Sequence, residues 1–193
     1  MRNIAIFASG SGTNAENIIR YFLNHPTIRI DSVWSNRRNA FALERAKKLG
    51  VEAVYFTREE LQNEGKLAKD LELRGVELIV LAGFLWLIPL HLIRRFPIIN
   101  IHPALLPSYG GKGMYGSFVH QSVIENKEKE SGITIHLVNE VYDSGKTLLQ
   151  KKCPVLPEDT PETLAARVHE LEYEYFPKAI EDFMLRENEV KNL

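Results

Sequence analysis

Three apolar runs rich in β-branched residues stand out in the first half of the chain: Asn3–Ala8, Ile28–Trp34 and Glu77–Ala82. Between and after them the apolar positions fall at helical spacing, over Asn14–Leu23, Ala40–Leu49 and Leu61–Arg74. A strand that is apolar on both sides has to be covered on both sides. Alternation of such runs with amphipathic helices therefore predicts a mostly parallel sheet between two helical layers. "GVEAVYF" at 50–56 adds a short strand, and "FPIIN" at 96–100 adds another. The pattern is that of an α/β, doubly wound fold.

The second half has a different rhythm. "GITIHLVN" (132–139) and "TLLQKKCPVL" (147–156) read as strands joined through "EVYDSGK", a hairpin or a loop containing a turn. A long helix follows over 158–187, with Thr160 as its cap and Pro161 in its first turn. Pro177 lies inside that helical pattern and is expected to kink or split it. No repeat or linker interrupts the chain. The expectation is one Rossmann-like domain over 1–193, an α/β half (1–100) followed by a half with mixed strands and the final helix (101–193).

Composition narrows the function classes. Lys and Arg total 24 against 25 Asp and Glu, a net charge of −1, which gives no electrostatic reason to expect nucleic acid. Apolar residues make up 45% of the chain, enough for a sizeable core. Cys153 is the only cysteine, so neither an internal disulfide nor a cysteine zinc cluster is expected. The apolar run Leu78–Leu90 is too short for a bilayer, and the amino-terminal residues lack a signal-peptide pattern. A soluble cytoplasmic protein with no membrane partner is expected, as monomer or homodimer.

Two stretches carry candidate chemistry. In "IAIFASGSGTNAENII", Gly10 and Gly12 stand where the first strand gives way to the first helix. Such a turn aims several backbone N–H groups and the positive helix end at one point, which suits a phosphate; a tight turn alone also explains the glycines. Gly10, Gly12 and Ala15 fit a loose dinucleotide fingerprint as well. "WSNRRN" lacks the expected acid after the second strand, though Arg37 and Arg38 suit an NADP phosphate. The other stretch is "NIHPALLPSYGG". Asn100 and His102 share one side of an extended segment while Ile101 faces the core, at a strand end where doubly wound folds bind ligands. Asp143 in "VYDSGK" is a turn former unless its loop returns beside His102. There its carboxylate would raise the histidine pKa. His136, on a strand, reads as structural. Asn, His and Asp without a Ser or Cys nucleophile point to direct group transfer.

"SGSGTN", "VLAGFLWLIP", "NIHPALLP" and "GITIHLVNEVYDSGKTLLQ" together resemble the folate-dependent phosphoribosylglycinamide formyltransferases, over almost the whole chain. The resemblance implies transfer of a formyl group from 10-formyltetrahydrofolate to the amine of 5'-phosphoribosylglycinamide (GAR) in purine synthesis, without a metal. It implies that Gly12, Thr13 and Asn14 hold the GAR phosphate and that Glu172 helps to place the rest of GAR. Leu85, Trp86, Leu87 and Ile88 would line the folate pocket, with Val141 and Asp143 closing its other side. Asn100, His102 and Asp143 fall on the catalytic trio, Asn100 also reaching the folate. Asn100 and protonated His102 would donate to the developing formyl oxyanion, and Asp143 would orient His102. Arg58 and Lys66 compete as the basic contact to the folate tail. The Leu106–Pro107 bond is cis in relatives, against the trans bond expected of any one X-Pro.

Rival readings stay in view. A methionyl-tRNA formyltransferase is expected to add a carboxyl-terminal domain and a basic surface. A formyltetrahydrofolate deformylase is expected to add an amino-terminal regulatory domain. An NADP-binding module on the same fold would leave the trio without use.

Overall fold

Uniform burial explains the first apolar run: Ile4, Ala5, Ile6 and Phe7 of β1 (Arg2–Phe7) are all fully covered. The structure, a computed structural model, describes residues 1–191; positions 192–193 of the expected domain lie outside the described residues. The chain divides into a unit spanning Met1–Ile99 and a second from Asn100 onward. The seven strands run in the order β3-β2-β1-β4-β5-β6-β7. The α/β doubly wound expectation, with a mixed carboxyl-terminal part, is therefore met.

In the first unit, β1 is followed by α1 (Thr13–Phe22), β2 (Ile28–Ser35), α2 (Phe41–Lys48) and β3 (Glu52–Tyr55). Then come α3 (Arg58–Gln62), α4 (Lys66–Leu73), β4 (Val76–Leu81) and the short α5 (Leu90–Ile93). β1 pairs in parallel with β2 on one side and β4 on the other, and β2 pairs in parallel with β3. The strand order thus reverses at β1, and its carboxyl end opens at a topological switch point. Phe7 packs there against Trp34 (6.0 Å), Phe56 (5.4 Å) and Phe84 (5.5 Å), tying together residues at or just beyond the ends of four strands.

One helix was expected over Leu61–Arg74, and two are present. Thr57 and Glu60 form a reciprocal capping box, which starts α3 early. Asn63 then takes an extended conformation and its side chain accepts from the Gly65 N–H at 2.9 Å. That local turn competes with helix continuation and separates α3 from α4.

β5 (Ile98–His102) crosses from one unit to the other, and the second unit continues with α6 (Ser117–Glu125), β6 (Glu130–Leu137), β7 (Thr147–Pro154) and α7 (Pro161–Lys191). β6 and β7 are antiparallel, as the hairpin reading requires. The Leu106–Pro107 bond is cis. α7 continues through Pro177 as one helix, so the expected split does not occur. A mid-helix proline costs about 3 kcal/mol. Here the apolar stripe Leu164, Val168, Phe176, Ile180 and Met184 is fully buried on both sides of it, and that burial offsets the lost hydrogen bond.

The entry to α7 is fixed by polar groups. Thr160 and Thr163 cap each other, the Thr163 N–H donating to Thr160 Oγ1 and the Thr160 N–H to Thr163 Oγ1. The Asp159 carboxylate accepts from Leu156 N (2.7 Å), Thr163 Oγ1 (2.8 Å) and both Arg167 Nη atoms (2.6 and 3.0 Å). These donors, Arg167 foremost, hold its carboxyl far below the usual carboxylate range. Asp159→Asn should lower unfolding free energy at pH 7 by about 2 kcal/mol, the scale of hydrogen bonds to a charged group. The folded-state pKa is depressed, so the wild-type advantage should persist above about pH 4 and shrink below it. Urea titrations of both proteins between pH 7 and pH 3 check this; a constant difference would contradict it.

Candidate active site

Gly145 decides where Asp143 goes. A Cβ on Gly145 would lie 1.6 Å from the Leu137 carbonyl oxygen, so only glycine lets the loop press against the end of β6. The Leu137 N–H donates to Lys146 O (2.9 Å), and Asn139 Oδ1 accepts from Val141 N and Ser144 Oγ, each at 3.0 Å. The loop therefore turns back on its own strand, with Asp143 at φ 53°, a left-handed conformation that Asp tolerates better than most.

The returning carboxylate meets the end of β5. Asp143 Oδ2 lies 3.6 Å from His102 Nδ1 and accepts from the Gly111 N–H at 3.0 Å. Its Oδ1 lies 3.4 Å from Asn100 Nδ2 and 3.6 Å from His136 Nε2. Asn100, His102 and Asp143, predicted to converge, do so. His102 is 4% exposed, and its Nε2 stands 2.7 Å from the Tyr109 carbonyl oxygen. A carbonyl only accepts, so the Nε2–H donates and Nδ1 is turned to Asp143.

The electrostatics differ from expectation in sign. Burial is the strongest influence on His102 and holds its pKa below the ordinary histidine value. Asp143 and the Tyr109 carbonyl pull upward, but less. Asp143 is also buried, which raises its pKa, yet the hydrogen bond it accepts from the Gly111 N–H brings it below the usual carboxylate range. The resting pair at neutral pH is a carboxylate beside a neutral imidazole.

His136, read from sequence as structural, belongs to the constellation. Its Nδ1 faces the Leu137 carbonyl at 3.0 Å, so Nδ1 carries the proton. Its Nε2 then accepts from Asn100 Nδ2 at 3.2 Å. Thr134, two residues earlier on the same side of β6, donates to Ala104 O (2.7 Å) and accepts from Leu106 N (3.0 Å) and Gln150 Nε2 (2.9 Å). It thereby fixes the segment just after His102. The available signal was a polar pair at period two in an otherwise apolar strand. Farther along the second unit, buried Glu172 (4% exposed) pairs with His169 Nδ1 at 2.7 Å, which raises the histidine pKa. His120 is buried too, and burial lowers its pKa. Val141 is exposed on the returning loop.

The first unit holds the other predicted residues. Gly12 is the N-cap of α1 at φ 73° and brings no side-chain capping oxygen, so the helix start suits an anion. A Cβ at Gly12 would lie 2.4 Å from Ala42 Cα, so α2 admits only glycine there. Thr13 and Asn14 open the helix, half-buried. The Ser9 N–H donates to Gly83 O (3.0 Å), and Ser9 Oγ accepts from Leu85 N (3.1 Å), tying the glycine turn to the segment carrying Leu85–Ile88. Of that segment, Leu87 is exposed and Ile88 belongs to the core. Trp86 packs on Phe84 (6.3 Å) and Phe56 (6.4 Å), with the Arg58 guanidinium 5.9 Å over its ring. Lys66 is committed to Glu60. Among the described residues, no three His, Cys, Asp or Glu side chains are grouped to hold a metal ion.

Residues 2–180 match the family model described as formyl transferase. The chain is 37% identical over 190 residues to the phosphoribosylglycinamide formyltransferase of Haemophilus influenzae, covering 95% of this chain and 87% of that one. It is also 37% identical to the chloroplastic phosphoribosylglycinamide formyltransferase of Arabidopsis thaliana, covering 93% of this chain but spanning only 64% of the plant protein's length. In the solved phosphoribosylglycinamide formyltransferase of Streptococcus pneumoniae TIGR4 the fold superposes with a TM-score of 0.83 at 33% identity, over 95% of this chain and 99% of that one. With the matched residues running through both units, the chain belongs to the formyl transferase family.

Proposed function

We propose that the protein transfers a formyl group from 10-formyltetrahydrofolate to the amine of GAR, as a phosphoribosylglycinamide formyltransferase of purine biosynthesis. The observation that carries this reading is the convergence of Asn100, His102 and Asp143 on one point of the second unit. Gly12, Thr13 and Asn14 hold the GAR phosphate on the uncapped start of α1. Glu172 receives the rest of GAR. Leu85, Trp86, Leu87 and Ile88 bind the folate, together with Val141, Asp143 and Asn100. Of the two candidates for the folate tail, Arg58 is favoured, since Lys66 is already paired. The lone buried thiol of Cys153 suits a reducing, cytoplasmic setting.

In this mechanism the neutral amine of GAR attacks the formyl carbon and negative charge gathers on the formyl oxygen. A neutral His102 still owns one donor, the Nε2–H, which exchanges the Tyr109 carbonyl for the formyl oxygen. The Asn100 hydrogen on the longer contact to Asp143 is the second donor. Both bonds strengthen as charge develops, so they lower the barrier more than they tighten ground-state binding. The Asp143 carboxylate takes up the amine proton, directly or through water. Asp143 returns that proton to the leaving folate nitrogen as its bond to the formyl carbon breaks, so the transfer leaves the carboxylate as it began.

An absorbance assay with a formyl-folate analogue, with GAR present or omitted, tests the reading. Release that depends on GAR supports it, and GAR-independent release would favour a deformylase. Asn100→Ala and His102→Ala should each lower kcat about a hundredfold or more with GAR affinity nearly intact. Near wild-type turnover in both would remove the assignment. By NMR, His102 should titrate below the ordinary histidine value, and lower still in Asp143→Asn, where the carboxylate that favours its charged form is gone. A rise in that variant would contradict the electrostatic account.

A further inference from the structure

The glycine turn of the first unit is gripped by one helix. Arg45 of α2 donates through Nε to the Ser11 carbonyl oxygen at 2.9 Å. Its Nη1 pairs with the Glu16 carboxylate in the first turn of α1. Glu16 is held in turn by Arg20 at 2.7 Å. From the same helix, the Ala42 N–H donates to Gly10 O at 3.2 Å, and Ala42 closes on Gly12. Three successive residues of the turn are thus fixed by α2.

The direction of the Arg45 contact has a consequence for the N–H groups. A peptide unit is planar and trans, so its C=O and N–H point opposite ways. The carbonyl of Ser11 and the N–H of Gly12 belong to one peptide. Holding that carbonyl toward Arg45 aims the Gly12 N–H to the other side. Glycine is the residue least able to fix this orientation by itself, because it populates both signs of φ. The Arg45 charge is already compensated by Glu16, so what Arg45 supplies is orientation more than positive potential.

We propose that Arg45 is a positioning residue that aims the Gly12 N–H, at the start of α1, toward the phosphate of the substrate. The inference rests on the proposed reading of Gly12, Thr13 and Asn14 as the GAR phosphate holders. Arg45 itself does not touch the phosphate.

Steady-state kinetics with varied GAR and varied 10-formyltetrahydrofolate test this on the wild type, Arg45→Ala, Arg45→Lys and Glu16→Gln. Arg45→Ala should raise the KM for GAR about tenfold, the scale of one charge-assisted hydrogen bond, with kcat changed less than about twofold. The KM for the folate should not move. Arg45→Lys should recover part of the loss, because an ammonium reaches either the carbonyl or the carboxylate but lacks the planar fork. Glu16→Gln should also raise the KM for GAR, since the brace loses its anchor. A lowered KM in Glu16→Gln would mean that the freed arginine binds phosphate directly, and would overturn the proposal. So would an unchanged KM for GAR in Arg45→Ala while the wild type transfers formyl to GAR. A wild type that transfers none overturns the functional reading and this inference with it.

Discussion

A carboxylate removed from water must be surrounded by donors, and the second unit is organised around that requirement at Asp143. The backbone N–H of Gly111 and the amide of Asn100 supply them, while ring nitrogens of His102 and His136 stand 3.6 Å from its two oxygens. Gly111 and Asn100 lie 32 and 43 residues from Asp143, so the loop and the strand end have to be correct together for the charge to be tolerated. The close approach of Gly145 to Leu137 sets the loop path, and Thr134 secures the segment after His102. Local backbone choices and the polar cluster therefore depend on each other.

Much of the fold was legible because burial was uniform. β1 and β4 are covered on both faces along most of their length, and a strand of that kind prints a nearly continuous apolar run. The break between α3 and α4 escaped a reading by periodicity, because it is made by the Asn63 side chain accepting from the Gly65 N–H two residues on. The continuity of α7 through Pro177 escaped for the opposite reason. Proline's low helix propensity acts at one residue, whereas the apolar stripe is packed on both sides of it and decides the outcome.

At the candidate site, the period-two spacing of Asn100 and His102 and the Asp-x-Gly turn were readable as chemistry. Their meeting was not, since 43 residues separate Asn100 from Asp143. His136 was undervalued because a lone histidine on a strand carries no sign of what faces it. The sign of the His102 shift also lay beyond sequence. It depends on competition between desolvation and a carboxylate at 3.6 Å, and burial wins.

The protonated Nδ1 of His136 has an effect beyond its own ring. With that nitrogen donating to Leu137, the other presents a lone pair to Asn100, so the carboxamide must turn its NH2 end inward and its oxygen away. The rotational ambiguity of an amide is thereby removed by a backbone carbonyl two bonding steps distant. An isosteric aspartate at position 100 would set oxygen against both an imidazole lone pair and a second carboxylate. The polarity of this one side chain, more than its shape, is what the strand end is built to accept.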